Sequence, residues 1–165
     1  MGLEESGLRA HEIAVDLAAP DDARLRFIGR IHTPWTDRAD CPRQGRPDGP
    51  ECRVALFEPW AAGLTGLEAY AQIELLYWLD RSRRDLVVQN PAHSWDSGQT
   101  VGTFALRSPV RPNPIGTALV RLVAIEGPVL RVRGLDCLDG TPLIDIKPDR
   151  CAFSPKAPAK PGEDP

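Results

Sequence analysis

The chain has 165 residues, of which 42% are hydrophobic and 26% are charged, and its formal net charge at pH 7 is −3. This length and composition predict a single globular domain with a hydrophobic core. No apolar run is long enough to cross a bilayer and no secretory start is visible, so we expect a cytoplasmic protein with no membrane partner.

The apolar pattern in the first third of the chain predicts short strands joined by a long loop. Residues 1–24 form an N-terminal arm or lead-in with one short strand near Ile13. A half-buried strand follows over residues 25–31, with Leu25, Phe27 and Ile31 on one face. Residues 33–51 are rich in Pro, Gly, Arg and Asp and lack periodicity. A loop of this length is either functional or a flexible surface segment.

The middle of the chain predicts further strands and little helix. A strand over residues 52–57 precedes one helical turn over residues 58–63. The apolar run over residues 72–79 predicts a strand buried on both faces, although a short helix has the same pattern. Residues 86–100 are expected to form a loop, with a strand over residues 101–106 after it.

The last third predicts a hairpin. Residues 117–126 form the clearest strand, with Leu119, Val123 and Ile125 on one face together with Thr117 and Arg121. Gly127-Pro128 turns the chain into a returning strand over residues 129–133. A short strand over residues 142–146 follows, and the Pro-rich polar residues 154–165 are expected to be disordered. Many short strands predict an all-β barrel or sandwich over residues 25–153.

The segment Arg107–Gly116 concentrates unusual residues, with three prolines, two arginines and an asparagine. Proline fixes φ and keeps the preceding residue extended, so Arg111 and Asn113 are expected to be held rigidly at a surface. A guanidinium grips carboxylate or phosphate in a fork, and an amide offers both a donor and an acceptor. A structural connector between two strands is the alternative interpretation.

Two further short patterns carry charged groups that suit a binding site. Asp139-Gly140 is typical of a hairpin turn, but its carboxylate also suits ribose hydroxyls. Asp145 and Lys147 project from the same face of a strand, where they either pair with each other or serve a substrate.

The absence of several well-known motifs argues against some kinds of cofactor, metal and catalytic site. No GxGxxG, P-loop, HExxH or GxSxG motif is present, which argues against a Rossmann-type cofactor site. The four cysteines form no CxxC pair, so we expect ordinary thiols, no disulfide framework and no metal. His93 lies in a predicted loop, where a solvated side chain is more common than a catalyst.

Six segments in the same order resemble the TsaA/TrmO family of S-adenosylmethionine-dependent tRNA methyltransferases. The similarity spans residues 27–148 and rests on residues 28–31, 42–45, 63–68, 107–116, 138–142 and 145–148. It implies a compact β-barrel that forms a homodimer and binds S-adenosyl-L-methionine with loops at the barrel rim. Two positions depart from the family pattern, because Asp80 replaces a common histidine and Asp149 replaces a common tyrosine.

The resemblance also implies the roles of individual residues. Those expected to bind the methyl donor are Pro42, Arg43, Gln44, Asp80, Arg81, Arg107, Thr117, Leu138, Asp139, Gly140 and Thr141. Those expected to act in catalysis are Arg111, Asn113, Asp145 and Lys147. Asp145 would accept a proton from the attacking nitrogen, Arg111 and Lys147 would hold a substrate phosphate or carboxylate, and Asn113 would orient the acceptor.

The acceptor implied by the resemblance is the N6 nitrogen of threonylcarbamoyl-adenosine beside the anticodon of tRNA. Such a substrate calls for arginine contacts to phosphate and for stacking surfaces, which the tryptophans at 35, 60 and 95 could supply. The net charge counts mildly against an RNA substrate, although several arginines lie in or beside the motifs. Two alternatives remain: another RNA or a small molecule as acceptor, and a non-catalytic module that binds S-adenosylmethionine and regulates a partner.

Overall fold

The computed structural model describes residues 8–16, 23–91 and 100–150. The chain forms two compact units, the first within Met1–Arg24 and Asp80–Ile115, and the second within Leu25–Leu79 and Gly116–Pro165. Within the described residues, no helix is long and apolar enough to cross a membrane. The predicted tail at 154–165 and His93 lie outside the described residues. The predicted boundary at residues 24 and 25 stays a prediction.

The second unit is a closed six-stranded β-barrel, which confirms the predicted all-β fold. Its strands follow the order β2-β3-β8-β7-β4-β9. They are β2 (Gly29–His32), β3 (Glu51–Leu56), β4 (Gln72–Trp78), β7 (Ile115–Glu126), β8 (Val129–Arg133) and β9 (Thr141–Pro148). The hairpin predicted from Gly127-Pro128 joins β7 and β8 in antiparallel register.

Alternating side chains from these strands fill the barrel interior. Fully buried side chains come from all six strands, among them Ile31, Val54, Ile73, Leu75, Val120, Leu130, Val132 and Leu143. Successive residues of a strand point to opposite faces, so the intervening positions face outward. Strand β4 shows this alternation, because Ile73, Leu75 and Tyr77 are buried while their neighbours are half-buried. The prediction that this strand is buried on both faces is therefore wrong for its outer face.

The first unit contains a small sheet of β1 (Ile13–Ala14), β5 (Leu86–Gln89) and β6 (Val101–Gly102), in the order β1-β5-β6. The predicted loop over residues 86–100 is wrong at β5, where a four-residue strand forms. The predicted strand over residues 101–106 is only two residues long, because a 3₁₀ helix follows at Thr103–Ala105.

Hydrogen bonds between buried polar groups stabilise β5, although the sequence around this strand is polar. Gln89 donates from Nε2 to the Val110 carbonyl at 2.6 Å and to Thr103 Oγ1 at 3.1 Å. The Thr103 hydroxyl donates to the Leu86 carbonyl at 2.8 Å. These bonds satisfy polar groups that would otherwise be costly to bury, and they tie β5 to the segment that holds Arg111.

Two predictions of strand faces differ from the structure. The strand predicted from residue 25 begins at Gly29, and both Leu25 and Phe27 are exposed. In β7, Leu119, Arg121 and Val123 share an outward face as predicted, but Ile125, which was predicted on the same face, packs against the core. A β-bulge between Leu122 and Ala124 shifts the register with β8. The bulge adds one residue, so a single alternating face cannot run through the whole strand.

Gly116, at the end of the proline-rich segment, packs directly on the ring of Tyr77. A Cβ at this position would lie 2.3 Å from Tyr77 Cε2. The Tyr77 side chain is 3% exposed and its hydroxyl donates to Asp136 Oδ1 at 2.8 Å. The ring is therefore fixed from both ends, and the glycine is required by the close approach.

We predict that Gly116→Ala destabilises the protein by about 1–3 kcal/mol, because the added methyl group must displace a fixed ring. Gly102→Ala is the control, because a Cβ there meets nothing within 4 Å. Urea unfolding followed by tryptophan fluorescence measures both variants. Equal midpoints for the two variants would contradict the assigned packing.

Candidate functional site

Two of the segments that resemble the family motifs, residues 42–45 and 138–142, belong to stretches of chain that contact each other in the barrel unit. The loop before β3 contacts the segment before β9 at three points. Thr33 Oγ1 donates to the Cys137 carbonyl at 2.8 Å, and the Asp139 N–H donates to the Trp35 carbonyl at 2.7 Å. A Cβ on Gly45 would lie 1.7 Å from the Gly134 carbonyl oxygen. The structure thus brings together the loops that carry Gln44 and Asp139.

Contacts made by one of its two oxygens hold the Asp139 carboxylate in place. Its Oδ1 accepts the Thr33 N–H at 3.2 Å and lies 3.2 Å from His32 Nδ1. The Asp139 side chain is 43% exposed, so the carboxylate also faces solvent. A fixed, accessible carboxylate suits the binding of hydroxyl groups.

The turn around Asp139 is fixed by its backbone. Gly140 has φ +78°, in the left-handed region that favours glycine. Its carbonyl accepts a bond from Arg30 Nη1 at 2.7 Å. The Thr141 hydroxyl donates to the Leu138 carbonyl at 2.7 Å. Leu138–Thr141 therefore forms a rigid turn, and the turn and the binding-site interpretations of Asp139-Gly140 are compatible.

A cavity of about 270 Å³ opens beside the loop that carries Gln44. It is close to the lower end of the range of about 300–1,000 Å³ for small-molecule sites. Its lining residues are Gln44, Gly45, Pro47, Gln72, Leu119, Val120, Arg121, Arg133 and Gly134. Within the described part of the chain, the buried Gln72 Oε1 has no hydrogen-bond partner. It is an acceptor that a ligand in this cavity could satisfy.

A larger cavity, of about 470 Å³, lies beside the bulge of β7 and is lined by residues 68–71 and 122–125. None of these lining residues was predicted to belong to the site. The smaller cavity is the better candidate, because it contains Gln44 and an unsatisfied acceptor.

In the first unit, the Arg111 guanidinium donates hydrogen bonds to backbone carbonyls around it. Its Nε donates to the Ser108 carbonyl at 3.1 Å, and its Nη2 donates to the carbonyls of Leu106 at 2.5 Å and Thr103 at 3.3 Å. These contacts hold the proline-rich segment in shape. The binding of a substrate phosphate or carboxylate by Arg111 stays a prediction.

Asn113 is exposed and is oriented by a residue that sequence analysis missed. Arg84 donates from Nε to the Pro112 carbonyl at 2.6 Å and from Nη2 to Asn113 Oδ1 at 3.4 Å. Nothing in the local sequence marks Arg84 as different from its neighbours Arg81 and Arg83. Its spacing of 28 residues from Pro112 gives no periodic signal.

Asp145 and Lys147 form the surface ion pair that sequence analysis gave as one of two interpretations. Lys147 Nζ lies 2.8 Å from Asp145 Oδ2, and the two side chains are about half exposed. The hydrogen bond that Lys147 donates to Asp145 raises the pKa of Lys147 above its ordinary value. A second role toward substrate stays a prediction.

The other predicted site residues are placed as follows. Pro42 and Thr117 are half-buried and Arg43 is exposed, all in the barrel unit. Asp80, Arg81 and Arg107 are exposed in the first unit. Asp149 is buried, at 5% exposure, and its N–H donates to the Gln72 carbonyl at 3.1 Å.

Aromatic surfaces for base stacking differ from those expected. Trp35 packs against the core, Trp60 is 40% exposed, and Trp95 lies outside the described residues. Phe104, which sequence analysis did not single out, is 86% exposed. An aromatic ring this exposed is available for stacking, as nucleic-acid-binding proteins use such rings.

The thiols have no activated character. Burial raises the pKa of Cys137 to about 12 and that of Cys52 to about 11, and it is also the main cause of a raised pKa at Cys41. All three are free, and Cys151 lies outside the described residues. In the described ranges, no three His, Cys, Asp or Glu residues are grouped to hold a metal ion.

The comparison with family models gives a match over residues 30–153 to the tRNA-methyltransferase O N-terminal domain. A protein of Rhizobium radiobacter named "Probable S-adenosyl-L-methionine-binding protein VirR" is 52% identical over 158 residues, which are 96% of this chain and 89% of the relative. The tRNA (adenine(37)-N6)-methyltransferase of Escherichia coli is 33% identical and covers 73% of this chain and 55% of its own length.

Among solved structures, a crystal structure of TrmO from Pseudomonas aeruginosa aligns with a TM-score of 0.66 and 30% sequence identity. The alignment covers 86% of this chain and 62% of that structure. The chain therefore spans about three fifths of the solved structure that it matches.

We predict that Arg111→Lys lowers hydrogen-exchange protection in residues 103–111, because a lysine cannot make the forked contacts to three carbonyls. The expected loss of stability is about 1–3 kcal/mol. Arg81→Lys is the control, because this arginine is exposed in a turn. Unchanged protection in Arg111→Lys would show that the guanidinium does not hold the segment.

Proposed function

Because the chain belongs to the tRNA-methyltransferase O N-terminal domain family, we propose that it is a methyltransferase that takes S-adenosyl-L-methionine as its methyl donor. Several relatives are named S-adenosyl-L-methionine-binding proteins, including the one that is 52% identical. The match extends from Arg30 in β2 past the end of β9.

The observation that carries this proposal is the packing of the Gln44 loop against the Asp139 turn. Both segments are expected donor contacts by resemblance. Hydrogen bonds to Thr33 and Trp35 fix the Asp139 turn, and close backbone contact of Gly45 with Gly134 holds the Gln44 loop. The residues present fit polar groups that a nucleoside carries, at two separate places. Asp139, before β9, offers an oxygen to ribose hydroxyls, and the buried Gln72 Oε1, in the cavity near the other end of β9, offers an acceptor to an amino group.

The bound donor supplies an electrophilic methyl group on a sulfonium. The chain's own task is to align an acceptor nitrogen with this methyl, since positioning supplies most of the gain in such a displacement. The nitrogen gains the methyl and loses one proton. In this proposal Asp145 accepts that proton, and the neighbouring Lys147 stabilises its carboxylate beforehand.

The acceptor that we propose is the N6 nitrogen of a threonylcarbamoyl-adenosine beside the tRNA anticodon. Support comes from relatives in Escherichia coli and Mus musculus named tRNA (adenine(37)-N6)-methyltransferase, at 33% and 38% identity. Exposed Phe104 and Trp60 offer stacking surfaces for an unstacked base. The homodimer stays a prediction, which gel filtration with light scattering would test.

A second candidate is a module that binds S-adenosylmethionine without transferring its methyl group. The name of the 52% identical relative mentions binding alone. The Asp145–Lys147 pair is satisfied by itself, so the geometry of this pair does not require a substrate. Turnover distinguishes the two candidates.

We predict that Asp139→Asn weakens S-adenosylmethionine binding about 10- to 100-fold, because an amide is a poorer acceptor than a carboxylate for two ribose hydroxyls. The asparagine still accepts the Thr33 N–H, so the turn is preserved. Isothermal titration calorimetry measures the affinity. Asp145→Asn is the matched control, which should keep the affinity while losing methyl transfer. Equal affinities for both variants would remove Asp139 from the donor site.

We predict that deletion of the gene abolishes the N6-methylated threonylcarbamoyl-adenosine in cellular tRNA. Mass spectrometry of tRNA nucleosides measures the product, and the wild-type chain should restore it whereas Asp145→Asn should not. An unchanged level after deletion would reject this acceptor. Methyl transfer to another RNA in a screen would then support the broader methyltransferase assignment.

A further inference from the structure

The barrel exposes a cluster of arginines on one side, which we call the arginine face. It consists of Arg30 on β2, Arg53 on β3, Arg131 and Arg133 on β8, and Arg121 on β7. All five occupy outward positions of four strands that are neighbours in the barrel. Neighbouring strands lie about 4.8 Å apart, so the face extends over roughly 14 Å.

Strand register places several of these cations directly opposite one another. Arg53 pairs with Arg131 across β3 and β8, and Arg121 pairs with Arg133 across β7 and β8. Like charges in directly opposite positions destabilise a sheet. The two like-charge pairs lower the stability of the sheet, and the packing of the core does not require them. They occur in a chain whose net charge is −3.

Two carboxylates compensate only part of this charge. Glu51 lies beside Arg131 and Arg133, and Glu126 Oε1 lies 2.9 Å from Arg131 Nη1. Five guanidiniums against two carboxylates leave an excess of three positive charges. Within the parts of the chain that the structure describes, Arg53 and Arg121 make no side-chain hydrogen bond or ion pair, and both are exposed.

The arginine face is continuous with the candidate donor cavity. Arg121 and Arg133 line that cavity together with Gln44 and Gly45. A polyanion on the face would therefore run directly past the proposed methyl donor.

We propose that the arginine face binds the phosphate backbone of the acceptor RNA and so brings the acceptor base to the cavity. The proposal rests on the proposed function for the choice of an RNA. Guanidiniums suit phosphates because they bind them in a fork and stay charged at all relevant pH values. Among the outward neighbours, Ala55 and Ala124 are small whereas Leu119 and Val123 are apolar and exposed, so it is the excess of positive charge that favours a polyanion over a protein partner.

The test measures RNA binding without the methyl donor, so its result does not depend on donor binding or turnover. The probe is a fluorescently labelled anticodon stem-loop, and anisotropy gives its affinity over a range of salt concentrations. The double variant Arg53→Gln/Arg121→Gln removes the two unpaired charges. The control Arg24→Gln/Arg26→Gln removes two exposed charges of the same kind outside the face.

We expect the face variant to lose about tenfold in affinity near 0.15 M salt and to lower the slope of log K against log salt by about 1.5, because each phosphate contact adds about 0.7–0.9 to the slope. An unchanged slope, or an equal loss in the control, overturns the proposal.

Competition by polyglutamate separates RNA from an acidic protein partner. Weak competition at equal charge concentration supports a phosphate-specific face. Competition as strong as that of unlabelled RNA overturns the RNA assignment in favour of acidic protein. A failure of the proposed function has a different signature, namely normal RNA binding without methyl transfer.

Discussion

The structure depends on the close approach of two backbones at Gly45 and Gly134. No side chain fits between them, because a Cβ on Gly45 would lie 1.7 Å from the Gly134 carbonyl oxygen. The contact fixes the long loop before β3 onto the segment before β9, where Asp139 is held by Thr33 and His32. A loop without regular structure thus becomes a defined wall of the cavity. Rigidity of this kind is what a methyl-transfer site needs, since alignment is its main contribution.

The proline-rich segment of the first unit is stiffened in a different way. Its prolines restrict φ, but they also remove N–H donors, so the segment cannot complete a sheet by itself. Arg111 compensates by bonding three carbonyls from one side, and Arg84 bonds the Pro112 carbonyl and the Asn113 side chain. The two arginines therefore act first as parts of the scaffold. This ordering leaves the Asn113 side chain exposed in a fixed orientation.

The barrel could be predicted from the sequence because its strands alternate with period two, as Cys52, Val54 and Leu56 do in β3. Strand β5 could not, since its stability comes from the bonds of Gln89 to Thr103 and Val110, which are distant in sequence. Ile125 was assigned to the wrong face of β7 because a bulge between Leu122 and Ala124 breaks the alternation. Among the candidate functional residues, Asp139 in the barrel carried a motif signal, whereas Arg84 in the first unit and Gln72 in the barrel acquire their positions only through tertiary contacts.

Net charge is a poor guide to the partners of this chain, because register rather than composition decides where charge accumulates. The whole sequence carries −3, yet the outward positions of four adjacent strands carry an excess of three positive charges. A strand shifted by one residue would bury these arginines and expose the core. The hydrophobic pattern that closes the barrel therefore also fixes the arginine face beside the cavity, so the fold and the electrostatic surface follow from the same alternation.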